Sequence, residues 1–500
     1  MSIRKEFLLT ALAASATLLV AAAALKRWKQ RKQWQLKQAH RILRKFARDS
    51  ATPVPKLWQI ADDLESDMRA SIASVNGTSS NSSLKMLVSY TNAFPNGDEE
   101  GFYYGLNLRG TNFLILCARL GGKNAPISDI HREEIPIPPN VMNGNTEDLF
   151  DFIAMEVGKF VSAHPENVYE PVKRTELGFT LSYPVDDAAA SLGNVIKWNS
   201  FSADDTVGKN MVNSINQALT NHGVNLLVSA MVDDTVGNLA GGRYYCRDSV
   251  AAITLGMGTN AAYIESGQEL AHLNGPSPTS REVGVSMEWG NFCSPHLPIT
   301  EFDTSLDSES SNPGSQVFQK LVSGTYLGEI VRRILVKMAQ ETLLFGDPVP
   351  SKLMTPYVLR SPDMAAMHQD TSEDREVVDE KLKEIFGITD STPMAREIVA
   401  EVCDVVSERA ARLAGAGIVG IVKKLGRIEN KRNIVTVEGG LYEHYRVFRN
   451  YLNSSIWEML GNELSDNVIV EHSHGGSGAG AVFLASSQKE NFDFELFNIG

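Results

Sequence analysis

Cysteine is scarce in this chain. Cys117, Cys246, Cys293 and Cys403 are spread over 500 residues with no CxxC pair. This spacing argues against a disulfide framework and a cysteine zinc site, and it suits a reducing compartment. Acid is missing where base is densest: ten Lys or Arg residues lie between Lys26 and Arg48 with no Asp or Glu among them. With Arg4, Lys5 and Glu6 this makes +11 over residues 1–48, so residues 49–500 carry −24 of the chain's net −13. A body that acidic is a poor partner for nucleic acid, and the basic belt needs its own explanation. No internal repeat is visible in the sequence of the body.

Charge is also absent from the nineteen residues 7–25, where only Thr10, Ser15 and Thr17 are polar. As a helix this stretch rises about 28 Å, close to the thickness of a bilayer core. Three readings are open: a membrane anchor, a cleaved secretory signal with small residues at Ala21 to Ala24, or a buried core helix. The length of the run, its basic flank and the lack of a disulfide framework weigh against the signal. A helix apolar on every face at an extreme terminus rarely finds a core. The expectation is an anchor over residues 7–25, with the body held in the cytosol by the positive flank. The belt then either meets anionic lipid headgroups, at about 1 kcal/mol per basic residue, or is a solvated helix.

Beyond the belt, residues 71–83 are polar and turn-rich and read as an exposed loop. Aromatic and β-branched runs predict strands at 85–90, 102–108, 112–119, 177–183, 226–232, 250–255, 434–437 and 468–471. Leu149, Phe150, Ile153, Val157, Phe160 and Val161 recur at helical spacing, and longer helical patterns occupy 325–341 and 394–424. The class is mixed α/β. The tail from 488 to 500 has an apolar-acidic alternation that carries no reading.

Glycine-rich turns follow several of these strands: Gly256-Met257-Gly258-Thr259-Asn260, Glu438-Gly439-Gly440 and Gly475-Gly476-Ser477-Gly478. Glycine lets a backbone approach a ligand closely, and clustered N–H groups suit phosphate. Each turn alone is a weak signal. Adjacent carboxylates, Asp233 and Asp234, follow an apolar strand, where composition alone favours a solvated turn over a catalytic base.

Taken in order with LGFTLSYPV, SMEWGNF, NPGSQVFQK and EGGLYEHY, these turns make residues 85–487 resemble the plant hexokinases, and the amino-terminal stretch is similar to that of their membrane-anchored mitochondrial members. The resemblance implies an actin-like (ribonuclease H-like) ATPase fold of two lobes behind an N-terminal membrane helix. The expected divisions are anchor and belt 1–48, small lobe 49–232, large lobe 233–487 and tail 488–500. It also implies ATP with Mg²⁺ beside a hexose, foremost glucose, whose 6-hydroxyl gives its proton to Asp234. Sugar positions fall on Ser182, Asp233, Asn260, Glu288, Gln316 and Gln319. Nucleotide positions fall on Asn107, Arg109, Gly110, Thr111, Asn112, Gly256, Gly258, Thr259, Glu438, Gly439, Gly440, Gly476, Ser477 and Gly478. No side chain is expected to ligate the metal directly.

Several of these positions depart from the family's pattern. Asn107 replaces an Asp that faces the hydrated Mg²⁺. Arg109 replaces a Gly where positive φ is a possible need, and Leu114 replaces a basic residue. Met257 replaces a Thr, Glu438 an Asp and Gly475 an Asp. Asp233 stands for Asn and Gln319 for Glu. Residues 197–202 are one residue shorter than the family's K-W-T-K-G-F-S, without its sugar-contacting Thr and Lys. Losing those two contacts and the Glu charge costs on the order of 5 kcal/mol, several thousandfold in rate. The resemblance therefore implies a hexokinase-like protein of weak or absent turnover acting in sugar-related regulation at the mitochondrial outer membrane. The alternatives are a low-affinity hexokinase and a hexose sensor or scaffold.

Overall fold

Strand β3 (Asn112–Gly121) shows how local sequence makes this fold. Its residues alternate between two buried faces. Phe113, Ile115 and Cys117 join one core cluster, while Leu114, Leu116, Ala118 and Leu120 join another. A strand covered on both faces needs a continuous apolar run, which NFLILCARL supplies. The computed structural model describes residue 26 and residues 34–74, 82–89, 91, 93–164, 174–181, 205–267, 282–429 and 431–488. The expected anchor at 7–25, Ser182, the shortened segment 197–202 and the tail after Gln488 lie outside the described residues.

The chain divides into two compact units. The larger comprises Thr52–Leu297, Asp307–Tyr326 and the residues from Glu408 onward. Its described strands form two sheets. One has the order β4-β3-β2-β5-β6, the other β1-β9-β8-β7-β10-β11. The first uses β2 (Glu100–Arg109), β3, β4 (Ala125–Pro136), β5 (Thr175–Leu181) and β6 (Leu226–Asp233). The second uses β1 (Leu87–Val88), β7 (Ser249–Leu255), β8 (Thr259–Ser266), β9 (Glu282–Ser286), β10 (Asn433–Glu438) and β11 (Val468–His472).

In each sheet an antiparallel meander of three strands is followed by two parallel strands laid against its first member. Without β1, the second sheet repeats the order of the first. A repeat is therefore present in the topology although no repeat is legible in the sequence: the two halves keep the same pairing with unrelated side chains. Each final strand, β6 and β11, leads into a helix, Asp234–Tyr245 and Gly476–Ser487 respectively. These two helices cross so closely that a Cβ on Gly480 would lie 1.7 Å from the carbonyl oxygen of Gly237. Val482 and Phe483 of the second helix pack on the Leu114 face of the first sheet, and helix Thr146–Ala163 covers the Phe113 face.

The smaller unit gathers the described residues up to Ala51, Pro298–Leu306 and Leu327–Ser407. Residues 34–49, most of the basic belt, form a helix that buries Ala39, Leu43 and Phe46 and leaves Lys37, Arg41, Arg44 and Lys45 exposed. It is a packed element rather than a solvated one, with Phe46 edge-on to Phe302 at 5.7 Å. Beside it opens a groove of about 490 Å³ lined by Lys37, Arg41, Arg44, Lys45, Arg48 and Lys337 with three acids. At its wall Glu301 takes both Lys45 (2.7 Å) and Lys337 (2.6 Å). Among the described residues no helix is long and apolar enough to cross a membrane.

Most expected strands are present with bounds shifted by one or two residues, though the expectation at 85–90 shrinks to the two residues of β1. The expected loop at 71–83 starts too early, because helix Val54–Ser74 runs through Ser71, which is buried.

Candidate active site

The site is assembled where strands of both sheets end, within the larger unit. Strand β6 ends on Asp233, which caps the next helix: its Oδ1 accepts from Val236 N at 2.9 Å. An Asp at an N-cap answers one of the unpaired N–H groups of a first turn. The pair that composition assigned to a solvated turn is thus built in. Asp233 is 7% exposed and Asp234 half-buried. The Thr235 hydroxyl lies 3.3 Å from Asp234 Oδ1 and 3.1 Å from Thr254 Oγ1, tying the helix to the end of β7.

Across from this cap, β8 and β9 present Asn260, Ser286 and Glu288. Asn260 Nδ2 donates to Glu288 Oε1 at 2.9 Å and sits 3.3 Å from Asp233 Oδ2. The Ser286 hydroxyl donates to Asp233 Oδ2. Glu288 adopts a left-handed backbone, φ 51°, as the strand turns into the short helix Trp289–Asn291. Such strain in a non-glycine residue is held by its surroundings, here by Asn291 N–H on its carbonyl at 3.0 Å. Sequence reasoning passed over Ser286. The signal was a polar residue ending an apolar strand two positions before Glu288.

The two hairpins of the repeated topology form equivalent turns. In the β2–β3 turn Arg109 closes β2 in register with Asn112 and has no positive φ, so replacing Gly costs no backbone strain here. Its Nε donates to Asn107 Oδ1 at 2.5 Å, and Asn107 Nδ2 donates to Thr180 Oγ1 at 2.8 Å. Asn107 is fully buried beneath that guanidinium. Gly110 and Thr111 form the tip, and Asn112 donates to Glu134 at 2.5 Å on β4. Leu114 packs inward against Gly478.

In the β7–β8 turn Gly256 N donates to Gly258 O at 3.0 Å, and Met257 is exposed. Gly324 N and Thr325 Oγ1 hold this turn from outside at 2.8 Å each. Thr259 N donates to Gln319 Oε1 at 3.0 Å, while Trp289 Nε1 donates to Thr259 Oγ1 at 2.9 Å. Gln319 therefore braces the second turn. Gln316 has φ 52° and accepts from Asn312 at 2.9 Å.

Strand β10 ends on Glu438, whose Oε2 accepts Ser477 N at 3.1 Å, at the start of the Gly476–Ser487 helix. Gly439 has φ 113°, and a Cβ there would meet Leu255 O at 2.4 Å, so only glycine fits this close approach. Gly440 opens the following turn.

The electrostatics follow from four acids, Asp233 buried and Asp234, Glu288 and Glu438 half-buried. Burial first, then the charge of Asp234, pushes Asp233 up to about 7. Burial, then Asp233 and Asp234, pushes Glu288 up to about 8. Burial and Asp234 raise Glu438 to about 7, against the opposing pull of Ser477 N–H and Arg109. Among the described residues no trio of His, Cys, Asp or Glu forms a metal cage.

Two family models described as hexokinase match residues 42–244 and 250–487. The chain is 46% identical over 494 residues to hexokinase-1 of Spinacia oleracea, covering 97% of this chain and 98% of that protein. It is 47% identical over 453 residues to hexokinase-1 of Arabidopsis thaliana, covering 89% and 90%. Among solved structures, the glucose complex of the Schistosoma mansoni hexokinase superposes with a TM-score of 0.75 at 29% identity, covering 91% of this chain and 99% of that one.

Proposed function

The chain belongs to the hexokinase family, and from that premise we propose that it binds a hexose, foremost glucose, with weak or absent phosphoryl transfer, and that it acts in sugar-related regulation at the mitochondrial surface. One observation carries the reading. Asp233 is buried and acts on Glu288, Asp234 is felt by Asp233, Glu288 and Glu438, and Arg109, the guanidinium felt by Glu438, donates its Nε to Asn107. Phosphoryl transfer depends on positioning and on neutralising charge at the transferred group. Among the described residues the site brings these acids together with one guanidinium, that of Arg109, acting on Glu438.

Mg-ATP fits the surroundings. Asp234 and Glu438 repel each other, which a divalent cation arriving on nucleotide phosphates would relieve. The turns at Arg109–Asn112, Gly256–Thr259, Glu438–Gly440 and Gly476–Gly478 would hold that nucleotide, and the bound group would supply the phosphoryl and most of the neutralising charge. Of the chain's own residues, Asp234 takes the 6-hydroxyl proton. Asn260 and Glu288, braced by Ser286, orient the sugar. Trp289 and Gln319 fix the second turn.

The membrane part of the proposal rests on residues 7–25 as an anchor and on the exposed Lys37, Arg41 and Arg44 meeting anionic headgroups. The retained Asp234 and Thr235 favour a second reading, a low-affinity hexokinase.

The assay is glucose 6-phosphate formation by the full chain with saturating Mg-ATP and high glucose, using Asp234→Ala as the blank. The full chain is required because helix 34–49 contributes to a packed core. Product at the blank's level, or thousandfold below a working hexokinase, is expected. Robust turnover abolished by Asp234→Ala would establish the second reading.

A further inference from the structure

Among the described side chains, hydrogen-bond donors are outnumbered at the floor of the site. Asp233 Oδ2 draws on the Ser286 hydroxyl and on Asn260 Nδ2 at 3.3 Å. Glu288 Oε1 draws on the same two groups, at 3.3 and 2.9 Å. A serine hydroxyl has one hydrogen to give, and an amide has two. Part of the amide's capacity also points at Ser286 Oγ, 3.0 Å away. Asn260 cannot turn over to change this, because its Oδ1 accepts Ala261 N at 2.8 Å. The other Asp233 oxygen is spent on the helix cap.

Among the described residues no cation is paired with either acid. The group facing Asp233 from its own helix is Asp234. From β8 comes the neutral Asn260, and from β9 and its exit come Ser286 and Glu288. Glu438, at the end of β10, acts on Asp234, and Arg109 acts on Glu438 rather than on this pair. Two carboxylates, Asp233 buried and Glu288 half-buried, that compete for the same donors are relieved most simply by keeping a proton.

We propose that Asp233 and Glu288 hold one proton between them at neutral pH, and that Asp233 meets a hexose hydroxyl as a hydrogen-bond donor, in place of the amide that the family resemblance puts there. The proposal rests on the sugar-site reading above. A protonated carboxyl presents an O–H where a carboxamide presents an N–H, so the Asn-to-Asp exchange conserves recognition while the proton stays. Loss of the proton turns the donor into a second anion beside the sugar. The upward displacement of both acids agrees with this arrangement.

The test is calorimetric titration of the full chain with glucose between pH 5.5 and 8.5, in buffers of differing ionisation heat, alongside Asp233→Asn. Wild-type affinity is expected to fall by about tenfold per pH unit once the proton is lost, with proton uptake on binding at the alkaline end. Asp233→Asn, which keeps a good helix cap, is expected to bind almost evenly across the range. A flat wild-type profile, or the same slope in the variant, overturns the proposal. Absence of glucose binding by both proteins at every pH would instead refute the sugar-site reading. The shared proton is then judged without sugar, by thermal unfolding. Asp233→Asn should gain stability over wild type as pH rises, and a gap that stays constant with pH overturns it.

Discussion

Asn107 illustrates how a single residue changes meaning once its neighbours are known. In the sequence it is a lost carboxylate beside a misplaced Arg109. In the structure the two form one unit, with the amide buried between Thr180 and the guanidinium. Leu114 changes meaning too: its loss of charge concerns the packing under the last helix, not the cleft. The candidate positions came from the resemblance to the family, and these partnerships could not come from it, because side-chain pairing across strands leaves no local pattern. Ser286 gives a prediction at this scale. Asp233 has a folded pKa above its unfolded value, so it binds a proton more readily when folded, and stability falls as pH rises from about 4 toward 7. The Ser286 hydroxyl limits that fall by stabilising the charged form. Ser286→Ala is expected to cost about 1–3 kcal/mol at pH 8.5, where the hydrogen bond is charge-assisted, and less at pH 5.5. Thermal melts at the two pH values measure the difference, and equal losses would contradict the assignment.

Among the elements, the crossing of helices Asp234–Tyr245 and Gly476–Ser487 is the tightest constraint. Gly480→Ala would drive a methyl group into Gly237 O, with backbone on both sides and no flexible side chain to yield. A loss of about 2–4 kcal/mol is expected, visible as a lowered melting temperature and poor soluble yield. Gly223→Ala, where a Cβ would meet nothing within 4 Å but φ is 68°, should cost less. Elements buried on both faces were easiest to read, since their apolar runs are continuous, as in β3 and β7. Strand β4 was missed because it is a nearly fully exposed edge, APISDIHREEIP, whose polar residues protect it from pairing with other chains. Strands β8 and β9 were missed for another reason. Both carry site residues, and Thr259, Asn260 and Ser286 interrupt the apolar pattern that marks a strand.

For the whole molecule, charge is the dominant asymmetry, +11 over residues 1–48 against −24 beyond them. The proposed anchor and the belt make separable contributions to membrane binding. On vesicles containing phosphatidylserine, the full chain is expected to stay bound at high salt. A variant lacking residues 1–25 should bind only at low salt, because ionic attraction is screened within about 10 Å at 0.1 M and about 3 Å at 1 M. Release of the full chain by salt would show that residues 7–25 are not inserted. The fold was legible as a class, while its twofold repetition was hidden, since pairing order survives where side chains diverge. That repetition sets two strand-end helices against each other at Gly237 and Gly480, backbone upon backbone. Beside that seat Tyr244 of one helix lies stacked on Phe483 of the other at 4.0 Å, so the crossing acts as a rivet: a close backbone fit with a ring pair next to it that opposes both separation and turning.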